Sequence, residues 1–377
     1  MSEGNPATDL LSISRAFDPA RLTQARRVAG MSKTELHDAV GVSAAAIGQY
    51  ERGEKRPRPE TVSALATALD VPAGHFAYGR PKARVEVAEA SFRRLRSTTV
   101  AQQQQATAYV EQAWELSLYL ERRVEFPMLD LPAWASPDSQ GTPDPVTAAQ
   151  QLRTHWGLGL DPIAHLVYQI EQHGILAVFF SLKQDPDLPD KSRIDAFSTT
   201  ALPRPMMVLT PDKADDVLRH RFSAAHELGH IVMHHGRLGS DVEMERQADV
   251  FASEFLTPRD VIRSALPTRL NLGALEQLSE EWGVSVHMLL RRSRDLERIS
   301  DSTARRGYIT LNTLARRPLT LDDVPSEKPE LMRNAIELLD TVGISIAQIG
   351  QDIQMTPRQI RRLAGISSET PKLSLVR

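Results

Sequence analysis

His226-Glu227-Leu228-Gly229-His230 places two histidines four positions apart, with a glutamate beside the first. At about 3.6 residues per helical turn, positions i and i+4 share one face, so both imidazole rings can reach one cation. Neutral imidazole suits zinc, and three protein ligands leave the fourth tetrahedral position to water. Such water has a pKa near about 7, and an adjacent carboxylate can take its proton during attack on an amide. The motif predicts a zinc hydrolase with ligands His226 and His230 and general base Glu227.

Apolar residues on both sides predict that this motif lies on a buried helix: Phe222, Ala225, Ile231 and Val232. Gly229 costs about 1 kcal/mol relative to alanine in a helix, which indicates close packing against a neighbour. Because the five-residue pattern also arises by chance, two other interpretations stay open. One is a helix whose core histidines bind no metal, and the other is a metal site without catalytic activity.

A third metal ligand is expected from the acidic segment after the motif. The candidates are Asp241, Glu243, Glu245, Asp249 and Glu254. We favour Glu245, because Asp249 follows one helical turn later and could orient an imidazole from behind. Glu243 is the closest alternative. His234 and His235 come too early for the pattern H-E-x-x-H-x-x-G-x-x-H. The oxyanion-stabilising group is left open among His220, His234, His235 and Tyr168.

Four short amphipathic helices, separated by turn residues, are predicted between Asp18 and Arg80. They cover residues 19–29, the segment between Ser32 and Gly41, and residues 44–52 and 59–69. Ser32 caps the second helix, with Glu35 at the capping-box position. Gly41 ends that helix, and Ser43 caps the third. Two short helices joined by Gly41-Val42-Ser43 form a helix-turn-helix.

This region resembles the XRE (Cro/CI-type repressor) DNA-binding family in Met31-Ser32-Lys33-Thr34-Glu35-Leu36, Gly41-Val42-Ser43, Ile47 and Tyr50-Glu51-Arg52-Gly53-Glu54-Lys55-Arg56-Pro57. The resemblance implies that the second helix of the pair enters the major groove of double-stranded operator DNA. Its early residues are Ser43, Ala44, Ala45 and Ala46, a less polar set than is usual in the family. Hydrogen-bonded readout therefore falls to Gln49 and Ser43. The predicted phosphate contacts are Lys33, Thr34, Lys55 and Arg56. A helix-turn-helix that contacts protein instead is the alternative.

The composition is that of an ordinary globular protein: 377 residues, of which 41% are hydrophobic and 25% charged. The net charge of −3 means that DNA binding has to depend on local placement of basic residues. The absence of cysteine excludes disulfides and thiolate ligands. Together with the lack of a signal pattern in residues 1–11, it predicts a cytoplasmic protein. The longest apolar stretch, Ile175 to Phe180, is too short for a bilayer, so no membrane partner is predicted.

Between the two motifs, residues 101–123 predict one long helix with an apolar stripe that includes Tyr109 and Leu116. Such a stripe either packs on its own chain or forms a homodimer contact. A Pro-, Asp- and Ser-rich connection follows at 126–145. Residues 146–173 look helical, and strands are predicted at 175–182, 194–199 and 206–210. If the last strand lies at a sheet edge, an extended peptide could pair with it beside the metal.

The metal-binding region resembles the ImmA/IrrE metallopeptidase family in Arg219-His220-Arg221-Phe222-Ser223-Ala224-Ala225, the motif itself, His234, Glu245-Arg246-Gln247-Ala248-Asp249-Val250-Phe251-Ala252 and Leu256-Thr257-Pro258. The resemblance implies a gluzincin-like fold with zinc ligands His226, His230 and Glu245, and Glu227 as the catalytic acid. It also implies a substrate class, because family members typically cleave XRE-type repressors and so derepress phage, mobile-element or DNA-damage genes. Here both modules share one chain, so the target is a repressor in trans or the chain itself.

The carboxyl-terminal segment, with helices predicted over 332–339, 346–353 and 358–363, is again a helix-turn-helix in outline. It is either a packing element or a DNA contact through Arg358, Arg361 and Arg362.

The predicted fold is multidomain and mainly α. Its segments are a flexible amino terminus (1–17), an all-α helix-turn-helix domain (18–80), a linker helix region (81–124), a Pro-rich connection (125–147), an α+β gluzincin-like metallopeptidase domain with a small sheet (148–299) and a helical domain (300–377).

The predicted function is that of a DNA-binding transcriptional regulator, acting as a homodimer, whose zinc endopeptidase domain cleaves a repressor in a stress, phage or mobile-element response. The alternative is a XRE-family transcription factor whose peptidase-like domain senses a ligand or partner without catalysis.

Overall fold

The computed structural model describes residues 10–87, 90–92, 99–136, 143–180, 196–210, 216–235, 242–313, 320, 324 and 327–366. The helices are α1 (Leu10–Arg15), α2 (Pro19–Val28), α3 (Lys33–Val40), α4 (Ala44–Glu51), α5 (Pro59–Ala68), α6 (Val100–Glu121), α7 (Pro145–His155), α8 (Leu166–Gln172), α9 (Val217–Met233), α10 (Val242–Leu256), α11 (Arg259–Ala265), α12 (Leu272–Trp282), α13 (Val286–Asp295), α14 (Asp301–Thr313), α15 (Leu331–Thr341), α16 (Ile346–Ile353) and α17 (Pro357–Leu363). The strands are β1 (Ala90–Phe92), β2 (Leu176–Phe179), β3 (Ala196–Thr199) and β4 (Met206–Leu209).

The fold is mainly helical with one small sheet, as predicted. The chain forms two compact units. Unit 1 combines Met1–Val87, Thr99–Glu125 and Glu330–Arg377. Unit 2 combines Ala88–Thr98 and Phe126–Pro329. The bounds of the six segments predicted from the sequence remain predictions. Among the described residues, no helix is both long enough and apolar enough to cross a membrane.

The helix-turn-helix of unit 1 begins and ends its helices at the capping and turn residues predicted from the sequence. The Ser32 hydroxyl accepts the Glu35 N–H at 3.1 Å, while the Glu35 carboxylate accepts the Ser32 N–H at 2.7 Å. This reciprocal pair is the predicted capping box of α3. Gly41 ends α3 with φ +73°, and the Ser43 hydroxyl accepts the Ala46 N–H to begin α4. Each predicted start and stop signal is therefore confirmed.

The long helix α6 is a central element of unit 1. Its apolar stripe is buried, with Tyr109 1% exposed and Leu116 0% exposed. The helix contacts α2 and all three carboxyl-terminal helices, α15, α16 and α17. Since its own chain covers the stripe, α6 confirms the packing interpretation, and the predicted homodimer needs another surface.

The sheet of unit 2 corrects one prediction. Its strand order is β1-β3-β4-β2, with β4 parallel to β2 on one side and antiparallel to β3 on the other. Both hydrogen-bonding edges of β4 are occupied, so the proposed pairing of a peptide with residues 206–210 is wrong. The four residues of β4 are all buried, as expected of an interior strand covered on both faces. The strands at 175–182 and 194–199 are confirmed within 176–179 and 196–199; residues 181, 182, 194 and 195 lie outside the described residues.

Two glycine features shape unit 2. Gly157 and Gly159, both at positive φ, follow α7, and residues 146–173 form two helices instead of one. Gly229 on α9 lies where α10 approaches most closely: a Cβ added there would lie 3.0 Å from Phe251 Cδ1 and 3.3 Å from Ala248 Cα. The absence of a side chain therefore lets α9 and α10 approach, which is the close packing predicted for this residue.

Candidate metal centre

Three side chains converge between α9 and α10. The Nε2 atoms of His226 and His230 lie 3.2 Å apart. The Glu245 carboxylate meets both rings, with Oε1 3.2 Å from His230 Nε2 and Oε2 3.5 Å from His226 Nε2. Both histidines are buried, whereas the Glu245 side chain is 24% exposed. Helical spacing places the two rings on one face of α9, and α10 brings the carboxylate to them.

The spacing of these atoms fits one tetrahedral cation. Zinc with nitrogen and oxygen ligands at about 2.0–2.2 Å holds neighbouring ligand atoms roughly 3.4 Å apart. The Nε2–Nε2 separation of 3.2 Å is close to one edge of such a tetrahedron, and the two Glu245 oxygens lie 3.2 and 3.5 Å from the Nε2 atoms of His230 and His226, respectively. Among the described residues, His226, His230 and Glu245 form the cluster able to hold a metal ion. The donor set of two imidazoles and a carboxylate suits zinc.

Hydrogen bonds behind the first histidine fix its tautomer. Asp249 Oδ1 lies 2.9 Å from His226 Nδ1, and Asp249 Oδ2 accepts a bond from Arg291 at 2.9 Å. An ionised carboxylate can only accept, so Nδ1 of His226 carries the proton and Nε2 presents its lone pair to the cation. Asp249 thus contacts the Nδ1 side of His226, whereas Glu245 lies at the Nε2 side, and its role in orienting a metal ligand remains a prediction.

The second histidine is oriented by a chain of hydrogen bonds through His234 and Gln247. His230 Nδ1 lies 3.0 Å from His234 Nδ1, and His234 Nε2 lies 2.9 Å from the Gln247 amide oxygen. Because the amide oxygen accepts, His234 Nε2 donates, and its Nδ1 accepts the proton of His230. Nε2 of His230 is left as an electron-pair donor. His234 therefore supports a ligand and does not itself reach the three-atom cluster.

Glu227 adjoins His226 in the chain but is not part of this cluster. Its side chain is fully buried, and Oε2 accepts a hydrogen bond from the Ser198 hydroxyl at 2.8 Å. Ser198 belongs to β3, which contacts α9. The sheet therefore holds one carboxylate oxygen of Glu227, and its role as general base remains a prediction.

The other acids considered as third ligands are placed elsewhere. Glu243 is exposed, and hydrogen bonds from Arg246 lower its pKa to about 2. Glu254 is buried in an ion pair with Arg292. Asp241 lies outside the described residues.

Of the four oxyanion candidates, Tyr168 is 46% exposed and His220 Nε2 bonds to the Glu327 carbonyl at 3.1 Å. Burial lowers the pKa of His220 to about 4 and also lowers the pKa of His235.

The predicted DNA-contact residues lie on or beside α3 and α4. Thr34, Ser43, Lys55 and Arg56 are exposed, while Ala44 and Gln49 are half-buried. Lys33 differs, because its ammonium lies 3.2 Å from Glu51, a carboxylate that also accepts two bonds from Arg26. A phosphate contact by Lys33 would have to compete with that acid. These seven contacts remain predictions.

Two family models match this chain, one within each compact unit. Residues 170–294 match the model of the IrrE N-terminal-like domain, a peptidase family, and residues 22–76 match the helix-turn-helix model. The chain therefore resembles helix-turn-helix proteins over residues 22–76 and IrrE-type peptidases over residues 170–294, here called the IrrE-type domain. It is also 44% identical over 60 residues to the HTH-type transcriptional regulator SutR of Escherichia coli (strain K12). That match covers 16% of this chain and 34% of SutR, so the chain spans about a third of that relative's length. Both resemblances predicted from the sequence are confirmed.

The Asp249 contact in the IrrE-type domain leads to a testable prediction. Asp249→Asn should weaken zinc binding about 10- to 100-fold, because the neutral amide no longer fixes and polarises His226. Competition with a chromogenic chelator measures the affinity. Asp295→Asn is the matched control, since Asp295 lies 3.7 Å from the same Arg291. Equal zinc affinity in wild type and Asp249→Asn would exclude this role.

Three supporting residues of the IrrE-type domain were not found from the sequence. They are Ser198, Arg291 and Gln247, which form hydrogen bonds with Glu227, Asp249 and His234, respectively. Gln247 lies two residues after Glu245, and a helical projection of α10 could have indicated it. Ser198 and Arg291 come from β3 and α13, and no spacing rule connects them with the motif.

Proposed function

We propose that this chain is a DNA-binding regulator whose IrrE-type domain is a zinc endopeptidase that cleaves a transcriptional repressor, in trans or within its own chain. The observation that supports it best is the convergence of His226, His230 and Glu245 within 3.2–3.5 Å of one another; Glu227, next to His226 in the chain, accepts a hydrogen bond from Ser198. The proposal places the regulator in the cytoplasm, in keeping with its cysteine-free sequence and helix-turn-helix domain.

The chemistry divides between the cation and the side chains. When bound, zinc supplies Lewis acidity that polarises a peptide carbonyl and acidifies water. Glu227 takes the proton of the attacking water on its carboxylate and delivers it to the leaving amine. Ser198 holds one carboxylate oxygen of Glu227, so the acid keeps one orientation through both transfers. Asp249 and His234 accept the Nδ1 protons of His226 and His230, so each ring presents Nε2 as an electron-pair donor.

A repressor substrate is supported by the combination of domains. A helix-turn-helix domain brings the chain to DNA, where repressors are bound, so peptidase and target share one location. Double-stranded operator DNA and a protein substrate are accordingly the proposed partners, with a homodimer as the proposed assembly on paired half-sites.

One observation favours a second candidate function, that of a non-catalytic sensor. The Glu227 side chain is 0% exposed, and His226 and His230 are 1% and 2% exposed. A peptide needs access to that carboxylate before it can be cleaved. A transcription factor whose peptidase-like domain senses a ligand or partner without catalysis needs no such access.

Metal analysis combined with mapping of new protein amino termini separates the two candidates. About one zinc per purified chain is expected, and it should be lost in His226→Ala. Amino-terminal labelling in cells that express wild type or Glu227→Gln should give a fragment of a helix-turn-helix repressor, or of this chain, in wild type only. Zinc-free protein with normal DNA binding would establish the sensor. Bound zinc without any Glu227-dependent fragment would exclude the peptidase.

A further inference from the structure

Helices α16 and α17 repeat α3 and α4 position by position, at one constant spacing along the chain. The first helix of each pair has eight residues and a serine cap. Ser345 accepts the Gln348 N–H at 3.3 Å, as Ser32 accepts the Glu35 N–H at 3.1 Å. The two segments therefore begin with the same local structure.

The turn between the helices is also repeated. Gln354 ends α16 in the left-handed region with φ +55°, at the position that Gly41 occupies with φ +73°. Two residues later Thr356 caps α17 by accepting the Gln359 N–H at 3.2 Å, in the place of Ser43. A residue other than glycine rarely adopts this conformation, so the surrounding fold must hold Gln354 there.

The buried positions agree as well. Ile349 and Ile360 are 0% exposed, as are their counterparts Leu36 and Ile47. Gly350 lies so near the turn that an added Cβ would be 2.5 Å from the Met355 carbonyl oxygen, which allows α16 and α17 to pack closely. Shared caps, turn and core residues make α16–α17 a second helix-turn-helix, built into the same compact unit as the first.

The exposed faces of the two second helices differ in charge. Arg358 and Arg361 are exposed on α17, three positions apart on one face, where α4 has Ala45 and Gly48. Helix α17 contains no acidic residue. Asp70 lies 3.8 Å from Arg358, but both side chains are largely exposed, so this ion pair is weak. The second module thus carries arginine donors suited to base edges and phosphates at positions where α4 has Ala45 and Gly48.

We propose that α16–α17 is a second DNA-binding element that places α17 in a major groove of double-stranded DNA, with Arg358 and Arg361 as its contacts. Arginine reads guanine through two donors or binds phosphate, and both need an accessible guanidinium. Arg362 is excluded from this set because it lies over the Tyr109 ring, 5.4 Å from its centroid. The inference goes beyond the proposed function: it requires neither peptide cleavage nor the contacts proposed for α4.

The test uses the full-length chain and a random double-stranded DNA library. Selection with wild type should yield a site in two separate parts, one for each helix-turn-helix. The double variant Arg358→Ala/Arg361→Ala should lose one part and bind the selected duplex at least about tenfold more weakly at fixed salt. Arg305→Ala/Arg306→Ala removes the same charge from adjacent exposed arginines on α14 and should bind as wild type. Both variants should keep the wild-type melting temperature.

Two results separate this inference from the contacts proposed for α4. Gln49→Ala should lose the other part of the site and keep the part read by α17. If Gln49→Ala changes nothing while the arginine variant loses its part, only the α4 assignment is wrong. If Arg358→Ala/Arg361→Ala selects the same site as wild type and binds it as tightly as the α14 control variant does, α17 does not read DNA and the proposal is overturned. This result is expected if α17 contacts a protein instead of DNA.

Discussion

Glu227→Gln is expected to lower the rate of peptide cleavage about 10²- to 10⁴-fold while zinc content stays at the wild-type level. The amide keeps the shape of the carboxylate and its hydrogen-bond partner Ser198, but it cannot accept a proton at neutral pH. His226, His230 and Glu245 are unchanged in this variant, so the cation should remain bound. Single-turnover cleavage of the fragment-yielding substrate, measured beside elemental analysis, gives both quantities.

Two glutamates on α10 serve as matched controls for this experiment. Glu245→Gln should lose both zinc and cleavage, since the Glu245 carboxylate meets both histidines. Glu243→Gln should lose neither, because the Glu243 side chain is 55% exposed and pairs with Arg246. Undiminished cleavage by Glu227→Gln would falsify the assignment of Glu227 as general base, and loss of zinc from that variant would show that it acts as a ligand.

The contrast between these glutamates shows how far the sequence alone could predict the site. His226, His230 and Glu227 follow from helical spacing within one element, and that part could be predicted directly. Asp249, one helical turn after Glu245, favours Glu245 over Glu243 as the third ligand, and the structure places Asp249 behind His226. Local periodicity on two helices was therefore enough to predict the cluster.

Residues brought in by tertiary packing could not be predicted in this way. Ser198 reaches Glu227 only because β3 packs against α9, and Arg291 reaches Asp249 from α13. The same limit explains the error over β4. Hydrophobic runs predict that a strand exists, but strand order depends on pairings between distant segments, here the parallel pairing with β2. The unbroken apolar run Met206-Met207-Val208-Leu209 is nevertheless typical of an interior strand.

Helix ends could be predicted closely because their causes are local. Ser32, Ser43 and Thr356 each accept the N–H group three residues later, and Gly41 ends its helix in the left-handed region. Gln354 is the instructive exception. Nothing in its residue type indicates a left-handed conformation, and only the repeat of the first helix-turn-helix shows why the chain turns there.

A buried charge cluster in the IrrE-type domain leads to the largest expected change in stability. Glu254 is 0% exposed and forms an ion pair with Arg292, which is 4% exposed. Its carboxylate also accepts bonds from the Gln150 amide at 3.0 Å and the Arg259 backbone N–H at 3.1 Å. Removing one charge of such a pair leaves the other buried without compensation, which typically costs about 3–5 kcal/mol. Glu254→Gln should therefore lower the free energy of unfolding by about that amount.

The same cluster predicts how stability depends on pH. Burial raises the pKa of Glu254, but the charge and hydrogen bonds of Arg292, together with Arg259 and Gln150, outweigh burial and hold the pKa below its ordinary value of 4.5. A carboxyl group with a lowered folded-state pKa stabilises the fold above its unfolded pKa. Its contribution is lost as the pH falls through the folded value. Wild type should therefore lose stability in acid more steeply than Glu254→Gln.

Thermal unfolding of the two glutamate variants of α10 decides whether burial is the cause. Glu254→Gln should lower the Tm by roughly 10 °C, given the entropy of unfolding of a domain of this size. Glu243→Gln, the same substitution in an exposed pair on the same helix, should leave the Tm nearly unchanged. Replacing the pair together, as Glu254→Leu with Arg292→Met, should recover much of the loss because neither charge is then buried alone. Equal Tm values for Glu254→Gln and Glu243→Gln would show that the buried ion pair does not stabilise the domain.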